Sequence, residues 1–184
     1  MVLNLESSSI LYAGYDESNH GRDNAIHVLT LSTIREDAIA SQEKQEKCRS
    51  HSCLTQKLQK RDYTFLSVNL LDEKRMPKKA IPGVYIASLL PKQNYDSLEH
   101  IKLYLDGELQ SANRDYISGI LFEVHNIRKT QLVLEYGPKY DQLFPIVNLA
   151  DELAHYLFRE LLPKEKSQHP KRKPLLFPSS LKLT

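Results

Sequence analysis

Ser9 to Gly21 reads SILYAGYDESNHG, an apolar run that ends on an acid pair, Asp16 and Glu17, and then on polar turn residues. Such a run, bounded by Asn and Gly, predicts a buried strand leading into a hairpin loop. The next apolar run, Ile26 to Ile34, follows the short polar link DESNHGRDN, so the two strands are expected to pair antiparallel. A third strand is predicted from Tyr63 in YTFLSVNLL. Between them lies Arg35 to Asp62, rich in Glu, Lys, Gln and Ala and poor in large apolar residues. That composition predicts an exposed helical excursion or mobile insertion over about 35–62.

The second half alternates. DEKRMPKKAIPG leads into a short helix with an irregular start that ends near Leu90, and HIKLYLDGELQ is a strand closing at an Asp106-Gly107 turn. SANRDYISGILFEVHNI is a helix that Ser111 is placed to cap, and TQLVLEYG is a further strand. In FPIVNLADELAHYLFRELLP, the residues Ile146, Leu149, Ala150, Leu153, Leu157 and Leu161 form a helical stripe closed by Pro163. Hairpin-linked strands followed by alternating helices and strands imply an α/β fold, a five-stranded mixed sheet with helices on both faces. No internal repeat is present.

With this order, the chain resembles the ribonuclease H-like superfamily, on Asp16 in YAGYDES, Asp106 in IKLYLDGEL and Asp151 in VNLADELAHYL. The opening DES and the closing LADELAHYL are most similar to a group of uncharacterised domains of that superfamily. The resemblance spans residues 9 to 162. It implies a domain over 1–163 whose acids sit on the first strand, the fourth strand and the last helix. It also implies a metal-dependent nuclease that uses Mg²⁺ or Mn²⁺. Many members add a fourth acid from the first helix or loop; here the segment after the third strand offers Asp72 and Glu73 before the expected helix, and no clear fourth ligand is visible. Proofreading exonucleases of the fold carry an Asp-x-Glu motif, whereas Asp16 and Glu17 are adjacent, so that activity is not carried over.

Strand parity tests the placement independently. Asp16 shares a face with Ile10, Tyr12 and Gly14, and Asp106 with Lys102 and Tyr104, while Ile101, Leu103 and Leu105 point the other way. Were the two strands parallel neighbours, Tyr12 and Tyr104 would lie side by side and both aspartates would emerge at one carboxyl edge, where α/β sheets bind ligands. Asp151 lies at the margin of the helical stripe. Glu17 belongs to the opposite face, a lesser position. Three converging carboxylates repel unless a cation gathers them or protons neutralise some, and oxygen-only donors suit Mg²⁺ or Mn²⁺. Taken singly, Asp16 also reads as a turn residue, Asp106 as half of a turn dipeptide and Asp151 as a solvated helix residue. Their joint placement favours the triad as catalytic and metal-binding.

The remaining features bound the partners. With 184 residues and 41% hydrophobic content the chain suits one domain, and a net charge of +2 decides little. No signal peptide is expected, because Glu6 and no Lys or Arg precede the first apolar run. No membrane span is expected either, since Pro82 and Gly83 interrupt the best apolar stretch, Ala80 to Leu90. The two cysteines read as free thiols in a cytoplasm. Cys48, His51 and Cys53 in CRSHSC are soft donors, but too tightly spaced and too few for zinc. The stretch 164–184 is a basic, proline-containing tail in which Lys171, Arg172 and Lys173 are placed to contact nucleic-acid phosphates, or else serve as a solubilising end. The alternative to a nuclease is a non-catalytic module of the same fold that binds nucleic acid or a protein.

Overall fold

The computed structural model describes residues 9–18, 24–42, 47–48, 50–69, 71, 74–78 and 80–161. The expected hairpin loop at 19–23, Asp72, Glu73, and the tail with Lys171, Arg172 and Lys173 lie outside the described residues. The strands are β1 (Ile10–Ser18), β2 (Asn24–Ser32), β3 (Asp62–Asn69), β4 (His100–Asp106) and β5 (Leu132–Gly137). The helices are α1 (His51–Lys57), α2 (Ile81–Leu89), α3 (Ser111–His125), the single turn α4 (Tyr140–Leu143) and α5 (Pro145–Leu161), with a 3₁₀ turn at Arg35–Ala38.

The sheet runs β3-β2-β1-β4-β5, as the five-stranded mixed sheet was expected to be built. β1 and β3 both pair antiparallel to β2, while β1–β4 and β4–β5 are parallel. β1 is thus central, and its tip and that of β4 face the same edge. Strand parity sorts the two faces. Leu11, Ala13, Leu29, Leu31, Ile101, Leu103 and Leu105 pack with α2 and α3, and Ile26, Val28, Tyr12 and Tyr104 pack with α5. The register sets Tyr12 against Lys102 and Gly14 against Tyr104, so the two tyrosines meet diagonally and not side by side.

Helix α5 is buried nearly all round because it is covered twice, by the sheet and by the excursion. Its first turn sits directly on the central strands. Thr30 Oγ1 donates to the Ile146 carbonyl at 2.7 Å, and a Cβ on Gly14 would lie 2.4 Å from that oxygen. Only a residue without a side chain permits that approach. Pro145 opens the helix where its missing N–H costs nothing. Leu161, placed on the apolar stripe by spacing, is 46% exposed at the end of the helix.

Two expectations are corrected. Ser111 does not cap α3; Gln110 holds the cap position, with no side-chain hydrogen bond, and Ser111 is the first helical residue. At the other end Asn126 takes the left-handed conformation (φ 57°) that closes a helix. The second correction concerns the excursion over 35–62. Its outer side chains are exposed, but it is anchored to the domain. Leu54 is fully buried against α5, Ser50 Oγ caps α1 by accepting from the Cys53 amide, and Arg61 pairs with the buried Asp37 at 2.5 Å. Asp37 also accepts from Ser32 Oγ. Its charge is therefore satisfied on two sides, as burial demands.

Candidate active site

Asp16 and Asp106 meet by register. Tyr15 pairs with Leu105, so the next residue on each parallel strand is an aspartate, both on the α5 face at the carboxyl edge. Asp106 Oδ1 accepts the Tyr140 N–H at 2.7 Å, which ties it to the turn α4. The following residue, Asp141, and Asp151 one helix further on share a cation: Lys47 Nζ lies 3.2 Å from Asp141 Oδ2 and 2.7 Å from Asp151 Oδ2.

Asp16 lies near enough to Asp151, Asp106 and Asp141 to feel their charges. Its pKa is raised from the ordinary 3.8 to about 8, chiefly by burial, against the opposing pull of the Glu17 amide, with smaller contributions from the charges of Asp151, Asp106 and Asp141. A carboxyl so placed keeps its proton at neutral pH unless a cation joins it. For Lys47, burial works against the ammonium, but Asp151 and Asp141 outweigh it and hold its pKa above the ordinary value.

Glu17 stands on the other face. Its Oε2 is 3.4 Å from Nδ1 of His27, which is wholly buried, takes a 2.7 Å hydrogen bond with Tyr15 Oη, and packs on the Tyr85 ring. Burial lowers the His27 pKa to about 4, so the ring is neutral at physiological pH.

Asp141 escaped the sequence reading. It lies in GPKYDQLFP, a single helical turn too short to show periodicity, and the signal available was its position just beyond a strand parallel to β4. Lys47 escaped for a different reason: its acids lie about a hundred residues away in sequence. Cys48 and Cys53, expected as free thiols, form a disulfide with a Cα–Cα distance of 5.7 Å, within the usual span; Ser50 and the first turn of α1 fold the chain back between them. The soft-donor trio with His51 is thereby excluded. Among the described residues, no group of three or more His, Cys, Asp and Glu side chains is gathered closely enough to hold a metal ion. The donor set at the sheet edge, carboxylate oxygens only, still fits Mg²⁺ or Mn²⁺ chemically, and the repulsion at Asp16 is what such a cation relieves.

No protein-family model and no curated protein matches the sequence. Solved structures do. A chain from the structure of the PCNA:RNase HII complex from Archaeoglobus fulgidus superposes with a TM-score of 0.52 at 17% identity, over 88% of this chain and 84% of that one. The fold is ribonuclease H-like. The ribonuclease H2 from Pyrococcus horikoshii OT3 gives a TM-score of 0.49 at 17% identity, over 79% and 70% of the two chains. Bst-RNase HIII in complex with Mn²⁺ gives 0.47 at 15%, over 83% and 53%. On this ribonuclease H-like sheet Asp16 and Asp106 end the parallel pair β1–β4 at its carboxyl edge, while Asp141 and Asp151 come from α4 and α5.

Proposed function

We propose that the protein is a metal-dependent phosphodiester hydrolase acting on nucleic acid, with Asp16, Asp106 and Asp151 as its catalytic and metal-binding carboxylates and Asp141 beside them. The observation that carries this is the raised pKa of Asp16, buried at the tip of the central strand and facing three other carboxylates. Burial is the main cause of that rise and the three neighbouring carboxylates add to it, a combination of desolvation and like charge that supports a functional site.

When bound, Mg²⁺ or Mn²⁺ supplies an activated water and neutralises charge at the scissile phosphate. The chain contributes position. Asp106 is held by the Tyr140 amide, and the first turn of α5, seated on Gly14 and Thr30, fixes how far Asp151 stands from β1. Asp16 gives up its proton to solvent as positive charge enters. Lys171, Arg172 and Lys173 bind the phosphate backbone in this reading. The cytoplasm was expected on the ground of free thiols, and the Cys48–Cys53 disulfide removes that ground. No helix among the described residues is long and apolar enough to cross a membrane.

Labelled single-stranded, duplex and RNA–DNA hybrid oligonucleotides incubated with Mn²⁺ test the proposal. Cleavage abolished by a chelator and by Asp106→Asn supports it. Bound Mn²⁺ without cleavage of any substrate favours the second reading, a non-catalytic binding module. One observation speaks for that module: Lys47 already holds two of the four carboxylates.

A further inference from the structure

The Cys48–Cys53 disulfide joins two parts of the excursion that are anchored unequally. Cys53 belongs to α1, which is held without the bond: Leu54 is fully buried against α5, Lys57 pairs with the buried Glu152 at 2.8 Å, and Arg61, just beyond the helix, pairs with Asp37. Lys47 and Cys48 belong to no helix or strand. Besides the disulfide, they are tied by the Cys48 amide donating to Glu152 Oε1, by a partly buried contact of Cys48 with the α5 core, and by the ion pairs of Lys47 with Asp141 at 3.2 Å and Asp151 at 2.7 Å. The Lys47 side chain is 45% exposed, and ion pairs of an exposed lysine restrain a main chain weakly. The covalent link to α1 is therefore what keeps the start of that side chain in place.

The two sulfurs are also unequally accessible. Cys48 packs toward α5, whereas Cys53 lines an open groove with His51, Ser52, Thr55, Gln56 and Gln59 along the outer side of α1. That lining carries no carboxylate, so nothing in it repels an approaching thiolate. The bond spans a sequence separation of five, and closing so short a loop constrains the unfolded chain little, so opening it costs local order and leaves the domain folded.

We propose that this disulfide is a site of thiol–disulfide exchange with a dithiol reductant, and that its reduction releases Lys47 from Asp141 and Asp151. A thiolate of the dithiol attacks Cys53 Sγ, the bond between Cys48 and Cys53 breaks, and Cys48 leaves as a thiolate that takes up a proton. The second sulfur of the dithiol then attacks the mixed disulfide and frees the Cys53 thiol, closing the reductant's own disulfide; two electrons and two protons pass to the protein. The exchange goes beyond the metal-dependent reading and holds whether or not the acids are catalytic.

Acetylation of lysines by acetic anhydride, read by peptide mass spectrometry on the full chain before and after dithiothreitol, tests it, with freed thiols counted by alkylation. Dithiothreitol should reduce Cys48 and Cys53 in the native protein with an unchanged circular dichroism spectrum, and labelling of Lys47 should rise by about threefold or more, as the loss of an exposed ion pair implies. Labelling of Lys57, on α1, should stay the same. Cys48→Ser and Cys53→Ser should each show the high Lys47 labelling with or without dithiothreitol. A bond that opens only in denaturant, or reduction that leaves Lys47 labelling unmoved, overturns the proposal. So does a rise at Lys57 equal to that at Lys47, which would mean that α1 as a whole comes loose. The measurement uses no metal and no substrate, so its failure leaves the metal-dependent reading intact, and absence of cleavage leaves the exchange site intact.

Discussion

Replacing Asp16 with Asn tests the carboxylate cluster without any substrate. Asp16 is protonated in the folded protein up to about pH 8, whereas in the unfolded chain it ionises near 3.8. Below pH 4 the two states hold the same proton and Asp16 adds no pH dependence. Between about 4 and 8 the unfolded chain gives its proton up and the folded one keeps it, so stability falls as pH rises; above 8 the loss is complete. One proton held across the three units from pH 5 to 8 corresponds to about 4 kcal/mol, and solvent screening at the partly open sheet edge reduces that to about 2 kcal/mol. In a chelator, the stability of Asp16→Asn relative to the unmodified protein should therefore rise by about 2 kcal/mol between pH 5 and pH 8.5. For a domain of this size that is roughly 4–8 °C in melting temperature, read by differential scanning fluorimetry across a pH series. Adding Mn²⁺ at pH 8 should reverse the order, because the ion binds the unmodified folded state. Parallel melting curves across the whole range would refute the reasoning, since they would mean that neither burial nor the neighbouring acids raise the Asp16 pKa in the folded protein.

Gly14→Ala should cost about 3 kcal/mol or more in urea unfolding, because its Cβ would meet backbone atoms of Ile146 that cannot step aside without lifting α5; a loss under about 0.5 kcal/mol would show that the seat is loose. Leu54→Ala, removing the buried anchor of the excursion, should cost about 2–4 kcal/mol and speed tryptic cleavage after Lys57 or Arg61, and unchanged cleavage would mean that the polar network alone holds the segment. Truncation after Pro163 should leave the melting temperature unchanged while flattening the salt dependence of nucleic-acid binding by about one unit of slope for each phosphate that the tail neutralises; an unaltered slope would remove Lys171, Arg172 and Lys173 from the interface.

Most of the sheet was legible in the sequence because each strand carries its own parity signal. Ile101, Leu103 and Leu105 face α2 and α3 while Tyr104 faces α5, and the same alternation placed Asp16 and Asp106 on one face before their pairing was known. Asp151 came from the resemblance carried by VNLADELAHYL, and the stripe on α5 only set it at its margin. What could not be read depends on contacts between distant segments. Asn148 and Glu152 look like solvated helix positions, and they are buried only because α1, some ninety residues earlier, lies over them. Asp37 is buried for a similar reason, with Arg61 and Ser32 supplying its partners. The cysteine pair was legible in distance but not in bonding, since a separation of five residues suits a disulfide only once the chain between them turns.

The parallel pairing of β1 with β4 also bears on how the molecule assembles. Ile10 must find His100 across the whole excursion, β3 and α2, a closure whose entropy is lost before any contact repays it. The β1–β2 pair needs only a short connection and β3 joins it across the excursion, and these three strands contain one of the four aspartates. The expected order is that β4 and then α4 and α5 dock last, so that the repulsion among the carboxylates falls mainly after the rate-limiting step. A cation that relieves it should leave the refolding limb of a chevron nearly unmoved and slow the unfolding limb, which places the resistance of the loaded protein to unfolding in its lifetime more than in its speed of formation.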